Sequence, residues 1–374
     1  MMFDVDRQYK EKLDAWFQRQ ILAQLEHWQQ YARPQVRKLI TSLNEHQLLT
    51  SGWPAPWGNN DISQQLYLHY CIAQQPIGGL GLCLASHLDI GGRLLQRYGT
   101  NQQQVAWLPK ALTGECLLAL AMTERNAGSD LQGIETFAQK TESGWSLTGH
   151  KASITNGADA DLAIVLARIQ AGRSPLSYAL FLVPLNSPGV DRHDHYDLLG
   201  YEGCLGGFDL NNVELPVDAM IGLPGQGLIT LLKHLDFERL LISARIAGYG
   251  KFLLEQQLTE LKKRKTFGKP LIDRQAAAFD HAHLWAEWAG FQAQAEQLAK
   301  VLQAGKTATR ETAMLKLNGS RLLVQTADRF LQWSGGRGYM ESHAAARAYC
   351  ESPGLGLAGG SEETLIGVIA RDYL

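Results

Sequence analysis

Apolar residues recur along the chain at two different periods, and the switches between them mark out three segments. From the start to about residue 115 the spacing is helical: Leu13, Trp16, Phe17, Ile21, Leu22, Leu25 and Trp28 follow one another at mostly three- and four-residue intervals. A break rich in proline and glycine, SGWPAPWGNN over 51–60, separates this run from a second helical stretch, Ile62 to Leu84 and on to Tyr98. The strings YGTNQQQ (98–104) and LPKALTGE (108–115) predict a helix end and a connecting loop.

From about 116 to 222 the runs become short and alternating: WSLT from Trp145, LAIVLA from Leu162, YALFLV from Tyr178 and VEL from Val213. Gly, Asn, Asp and Pro separate them, which predicts strands and turns forming a small barrel or sandwich. From about 223 to the end the helical period returns in long segments, 226–264, 274–304 and 308–333, followed by the glycine-rich SGGRGY from Ser334 and a last short helix. Long helices joined by short loops predict a bundle. The expected class is therefore α+β: a helical domain over 1–115, a β-barrel or sandwich domain over 116–222 and a four-helix bundle over 223–374.

Composition narrows the function by exclusion. A formal net charge of −2 and 19% charged residues leave no basic excess for nucleic acid, and the one dense basic cluster, Lys262 to Lys265, reads as a solvated helix end. Five cysteines, with no CxxC pair, point to a reducing cytoplasm. The charged amphipathic start gives no export signal, and no apolar run is long enough for a membrane span. No HExxH, GxSxG, P-loop or GxGxxG string occurs. His281 and His283 lie two apart, on different faces of a helix, and no third ligand accompanies them, so no metal site is expected.

One stretch carries more chemistry than a turn needs. AMTERNAGSD (121–130) sets Thr123, Glu124, Gly128, Ser129 and Asp130 directly after the apolar run from Cys116 to Leu120. These are ordinary turn residues; crowded at a strand end, their hydroxyls and backbone N–H groups also suit a polar ring edge and a phosphate.

Four motifs in order give the chain a resemblance. AMTERNAGSDLQG (121–133), LTGHKASITNG (147–157), RKTFGKP (264–270) with Gln275 following, and QWSGGRGY (332–339) resemble the signatures of the acyl-CoA dehydrogenase family of FAD flavoproteins, over nearly the whole chain. Ser342 departs from the last signature, which expects an acid or amide there. The resemblance implies FAD as cofactor. Met122 and Thr123 would meet the flavin pyrimidine edge, Ser129 the pyrophosphate and the substrate, and Thr155 the flavin N5, with Ser153 beside the ring. Arg264, with Phe267 and Gln275, would reach the FAD of a neighbouring subunit, and a guanidinium fork suits its pyrophosphate. Gln332, Gly335 and Gly336 would approach the adenosine end, and Ser361 and Glu363 are two further flavin-contact positions. Sites shared in this way imply a homo-oligomer, a tetramer built from dimers or a dimer.

The reaction that the resemblance implies needs a carboxylate to remove the proton alpha to a thioester. In much of the family it precedes a Gly-Thr near the C-terminus; here AGGSEET (358–364) places Gly359 there. A second family location lies on the first bundle helix, where LDFERLL (235–241) offers Glu238, followed by Arg239 at the family's distance before Arg264. The helix period supports Glu238 independently: Leu228, Leu231, Leu235, Glu238 and Ile242 form an apolar stripe, in which a carboxylate loses solvation and its pKa rises. The alternatives are a structural ion pair with Arg239, or Glu362 or Glu363 as base.

Further departures bear on substrate. Ser153 replaces the family's tryptophan beside the flavin, YCES (349–352) replaces an Arg-Asp-Ala run, and the WPAPWG stretch replaces the usual N-terminal pattern. These turn the expectation from fatty-acid oxidation towards an acyl thioester on CoA or on an acyl-carrier protein, including the carrier-bound substrates of secondary metabolism. The electron acceptor would be a flavoprotein or oxygen. An oxidase or monooxygenase on the same fold, and a flavin-binding protein without catalysis, are the competing functions.

Overall fold

The structure is a computed structural model and describes residues 3–24, 35–75, 77, 79–172, 174–371 and 373. Leu25 and Trp28 of the first apolar run lie outside them. The chain forms two compact units that interleave along the sequence: Trp16–Leu49 with Ile77–Leu235, and Met1–Ala15 with Thr50–Pro76 and Asp236–Leu374.

The first unit carries the strands β1 (Leu118–Ala121), β2 (Phe137–Lys140), β3 (Gly144–Thr155), β4 (Leu162–Arg168), β5 (Tyr178–Pro184), β6 (Val190–His193), β7 (Leu205–Pro216) and β8 (Met220–Ile221). They form one eight-stranded sheet in the order β6-β7-β3-β2-β4-β5-β8, with β1 parallel to β4. β4 and β5 are buried almost throughout, which is why LAIVLA and YALFLV lack polar alternation. Ala163, Val165, Phe181, Val183, Phe208 and Leu210 are central to its core.

In the same unit the expected loop over 98–115 is instead a helix, Asn101–Thr113. The Thr100 hydroxyl accepts from Gln103 N while the Gln103 side chain accepts from Thr100 N, and Gly114 ends the helix at φ +82°. This reciprocal cap and left-handed terminus outweigh Pro109 inside the helix. His87 joins the helix to the sheet. Leu118 N donates to its Nδ1, so its Nε2 carries the proton that Ala111 O accepts. Burial pushes that imidazole down to about 4 and keeps it neutral.

The second unit holds most of the long helix Gly227–Lys263, then Gln275–Gln303, Thr309–Ser334, Ala344–Leu357 and Glu362–Ala370. Glycines let the aromatic rings of the bundle pack against backbone: a Cβ on Gly250 would meet the Trp288 ring at 2.2 Å, and one on Gly319 the Phe291 ring at 2.4 Å. Trp288 and Phe291 are core, as their spacing predicts, and Trp288 Nε1 donates to Thr326 Oγ1. Trp285, on the same helix, is 40% exposed and donates to His281 Nε2 at 2.8 Å. Among the described residues no helix is long and apolar enough to cross a membrane.

Candidate active site

The AMTERNAGSD stretch leaves the sheet at the end of β1 and is fixed from beneath by β3. Thr123 O accepts from Ala152 N at 3.0 Å, and Met122 O accepts from Lys151 Nζ at 3.0 Å. Lys151 is fully buried and pairs with Glu124 at 2.8 Å. Glu124 also accepts from Glu135 N, Thr136 N and Thr136 Oγ1. Burial would raise the Glu124 carboxyl, but Lys151 and these donors outweigh it and hold it below its ordinary value. Burial pushes Lys151 down to about 8 against the pull of Glu124. Both groups are thus ionised at neutral pH, and Glu124 is a structural anchor of the turn.

The register of β3 against β7 slips between Lys151 and Ile154, forming a bulge. Ser153 sits on it in the left-handed region, φ +55°, with an exposed side chain, while Thr155, two residues further along, is half-buried. Asn156, at φ +64°, closes the strand by donating its amide to Cys83 O and Leu118 O. Met122, Thr123, Ser153 and Thr155, expected together from the motifs, are thus held at one end of the β1–β3 region. Gly128 and Ser129 stand exposed beyond them, and a Cβ on Gly128 would meet only the Thr123 methyl, at 4.0 Å. That open surface of N–H groups and a hydroxyl fits a phosphate.

In the other unit the structure brings together Arg264 and Gly335. Arg264 Nη1 donates to Trp333 O at 2.6 Å, and a Cβ on Gly335 would lie 2.4 Å from the guanidinium. Gly335 also ends its helix at φ +63°, so both space and backbone require glycine there. Gly336 has nothing within 4 Å of a built Cβ, and Gln332 and Gln275 are exposed. These residues fit a phosphate-bearing group arriving at the bundle surface. Phe267 is 97% exposed. Ser361 caps the last helix, accepting from Thr364 N, and Glu363 is exposed in its first turn.

Glu238 lies on the long helix and is buried, 8% exposed, as the stripe predicts. Burial pushes its carboxyl up to about 7; Arg239 and Lys316 pull it back towards the ionised form. Arg239 is itself buried, with Nη1 3.9 Å from Asp236 Oδ1, so its loose partner is Asp236. Lys316, not singled out from the sequence, is fully buried and donates to Gly356 O and Gly360 O at 2.5 and 2.9 Å. It thereby holds the turn containing Gly359. A Cβ on Gly359 would stand 3.9 Å from Glu238 Oε1 and 2.5 Å from Ile242 Cδ1. The two family locations for the base are therefore neighbours in space. Gly359 has φ +67°, so a side chain there is strained as well as crowded. The other acidic candidates are engaged elsewhere: Glu362 accepts from Arg321 at the surface, and Glu363 is held below its ordinary value by its own backbone N–H and by Ser361.

A helical segment, a β segment and a helical bundle in this order are the architecture of flavin-dependent acyl dehydrogenases. The comparisons agree. Residues 4–115, 119–213 and 225–374 match, in order, the acyl-CoA dehydrogenase N-terminal, middle and C-terminal domains. The chain is 32% identical to the mitochondrial long-chain specific acyl-CoA dehydrogenase of Mus musculus, over 77% of this chain and 68% of that protein. It is 27% identical to the mitochondrial isovaleryl-CoA dehydrogenase of Solanum tuberosum, over 99% and 90%. An acyl-CoA dehydrogenase structure from Geobacillus kaustophilus superposes with a TM-score of 0.92 at 25% identity, covering 100% of both chains. This chain belongs to the acyl-CoA dehydrogenase family and is an FAD-dependent oxidoreductase acting on CH–CH groups.

Proposed function

We propose that the chain oxidises the Cα–Cβ bond of an acyl thioester with Glu238 as the base. The observation that carries this is the placement of Glu238: buried, with a pKa near 7, and 3.9 Å from where a Cβ of residue 359 would stand. A carboxylate poised near the working pH is matched to abstracting a weakly acidic proton. Arg239 and Lys316 favour its ionised form, and the Lys316 bonds to Gly356 and Gly360 keep the adjoining turn in place. Bound FAD supplies the acceptor for the β-hydride. Met122, Thr123, Ser129, Ser153 and Thr155 would hold it from the β unit, and Arg264, Phe267, Gln275, Gln332, Gly335, Gly336, Ser361 and Glu363 from bundles of this kind. Ser129 and Arg239 would also meet the substrate.

The donor is a pantetheine thioester, on CoA or on an acyl-carrier protein of secondary metabolism. A second reading rests on Ser153: with a small exposed side chain in place of the family's tryptophan, space opens beside the flavin, and reduced enzyme would react with oxygen.

Anaerobic titration of the flavin spectrum with acyl-CoAs and acyl-carrier proteins tests these readings. Glu238→Gln should keep FAD bound yet abolish substrate-dependent bleaching, and undiminished bleaching by this variant would refute the assignment of the base. Bleaching only by carrier-bound acyl groups selects the carrier, and bleaching by a free CoA ester retires it. Fast reoxidation of the reduced enzyme by oxygen, rather than by an electron-transferring flavoprotein, selects the oxidase.

A further inference from the structure

Strands β3, β6 and β7 carry a cluster that the flavin chemistry does not use. His150 on β3 stands opposite Asp209 on β7, and Asp209 stands opposite Asp191 on β6. Cross-strand partners share a face, so these three side chains project from one side of the sheet. His193, two residues along β6 from Asp191, joins them. Asp209 is shared between two imidazoles: its Oδ1 lies 2.5 Å from His150 Nδ1 and its Oδ2 3.0 Å from His193 Nε2. The two rings are 5.6 Å apart. One donor atom from each of His150, His193 and Asp209 lies within 4.8 Å of the others. Gly207, opposite His193, makes room for this, since a Cβ there would sit 3.2 Å from His193 Nδ1 and 2.6 Å from the Tyr196 hydroxyl.

We infer that His150, His193 and Asp209 bind one divalent transition-metal ion of the zinc class, with water completing the shell. Two imidazoles and a carboxylate suit zinc, cobalt or nickel, whereas magnesium and calcium prefer an all-oxygen set. Asp191, opposite Asp209 on the same face, adds negative charge beside the three ligands, which favours a cation there. The side chains of His150, His193 and Asp209 are 23%, 24% and 36% exposed, so an ion reaches them from solvent. The fold gives the ion a structural task. β6 is a four-residue strand at the end of the sheet, bonded only to β7, and an ion held by β3, β6 and β7 ties that edge to its neighbours.

None of the three residues is among those assigned to the flavin, so the test reads metal binding directly. Untagged holoenzyme, treated with EDTA and dialysed, is titrated calorimetrically with zinc chloride and, separately, with magnesium chloride. The expected result is one zinc per subunit, a raised Tm and no magnesium binding. An outer-shell partner of a metal is worth about 10- to 100-fold in affinity. Loss of a ligand through His193→Gln or Asp209→Asn should therefore weaken zinc by at least about tenfold, while the flavin spectrum and substrate bleaching are retained. No saturable zinc binding by the unmodified protein would overturn the proposal. So would binding that survives both substitutions, which would place the ion elsewhere.

Discussion

At the scale of single residues, Glu238 makes a claim on stability as well as on catalysis. Its carboxyl is displaced from an ordinary 4.5 to about 7 in the folded chain, chiefly by burial. The folded protein therefore holds a proton more tightly than the unfolded one. The associated stability is fully present below about pH 4.5 and is lost as pH rises through about 7. That gap is worth about 3 kcal/mol at most. Glu238→Gln removes the titration, so its stability relative to the native enzyme should rise between pH 5 and pH 8, read by denaturant unfolding at each pH. A constant difference across that range would show that Glu238 is not protonated in the folded state. The residue was legible because its apolar stripe runs along one helix. Lys316 was not, because its buried ammonium is explained by carbonyls at Gly356 and Gly360, 40 and 44 residues away in the chain.

At the scale of elements, the chain was easiest to read where one period persists. The helices Gly227–Lys263, Gln275–Gln303 and Thr309–Ser334 fall within a residue of the segments expected from spacing alone. The helix Asn101–Thr113 was missed because three glutamines and a proline mask its period, while its start is decided by a two-residue cap. Strand order was beyond reach, since β1 pairs in parallel with β4 and β3 lies between β7 and β2. The bulge in β3 shows how an element sets a site. Its inward residue, Lys151, holds both Met122 and Glu124, so the strand and the turn that carries Met122 and Thr123 are one piece. Lys151→Met should leave the Glu124 carboxylate buried without its counter-charge and cost about 3–5 kcal/mol. The expected outcome is a lower Tm together with a reduced flavin-to-protein absorbance ratio. Adding Glu124→Gln should recover part of both. Unchanged flavin content would mean that the turn is held without the ion pair.

At the scale of the whole molecule, one residue points to a partner outside the isolated chain. The two-residue hairpin between Lys265–Thr266 and Lys269–Pro270 has Phe267 at φ +50° and Gly268 at φ +78° at its tip. That turn favours Asn-Gly, and a left-handed residue bearing a bulky side chain costs about 1–2 kcal/mol. The ring is also 97% exposed, with the Arg274 guanidinium 5.9 Å from its centre. Among the described residues the Arg274 guanidinium is the ring's recorded partner, and it leaves the strained backbone and the solvated ring largely uncompensated. Contact with a second copy of the chain, or with the FAD which that copy binds, would offset them by burying the ring. Phe267→Asn should therefore leave the subunit as stable or slightly more stable, because asparagine tolerates the left-handed region. It should also shift the oligomer towards smaller species on dilution, measured by sedimentation velocity, and loosen FAD. Oligomer mass and flavin retention that match the native protein would show that the ring meets neither a second copy nor its cofactor. Loss of both, with the Tm of the flavin-free subunit unchanged, would place Phe267 at an interface between copies.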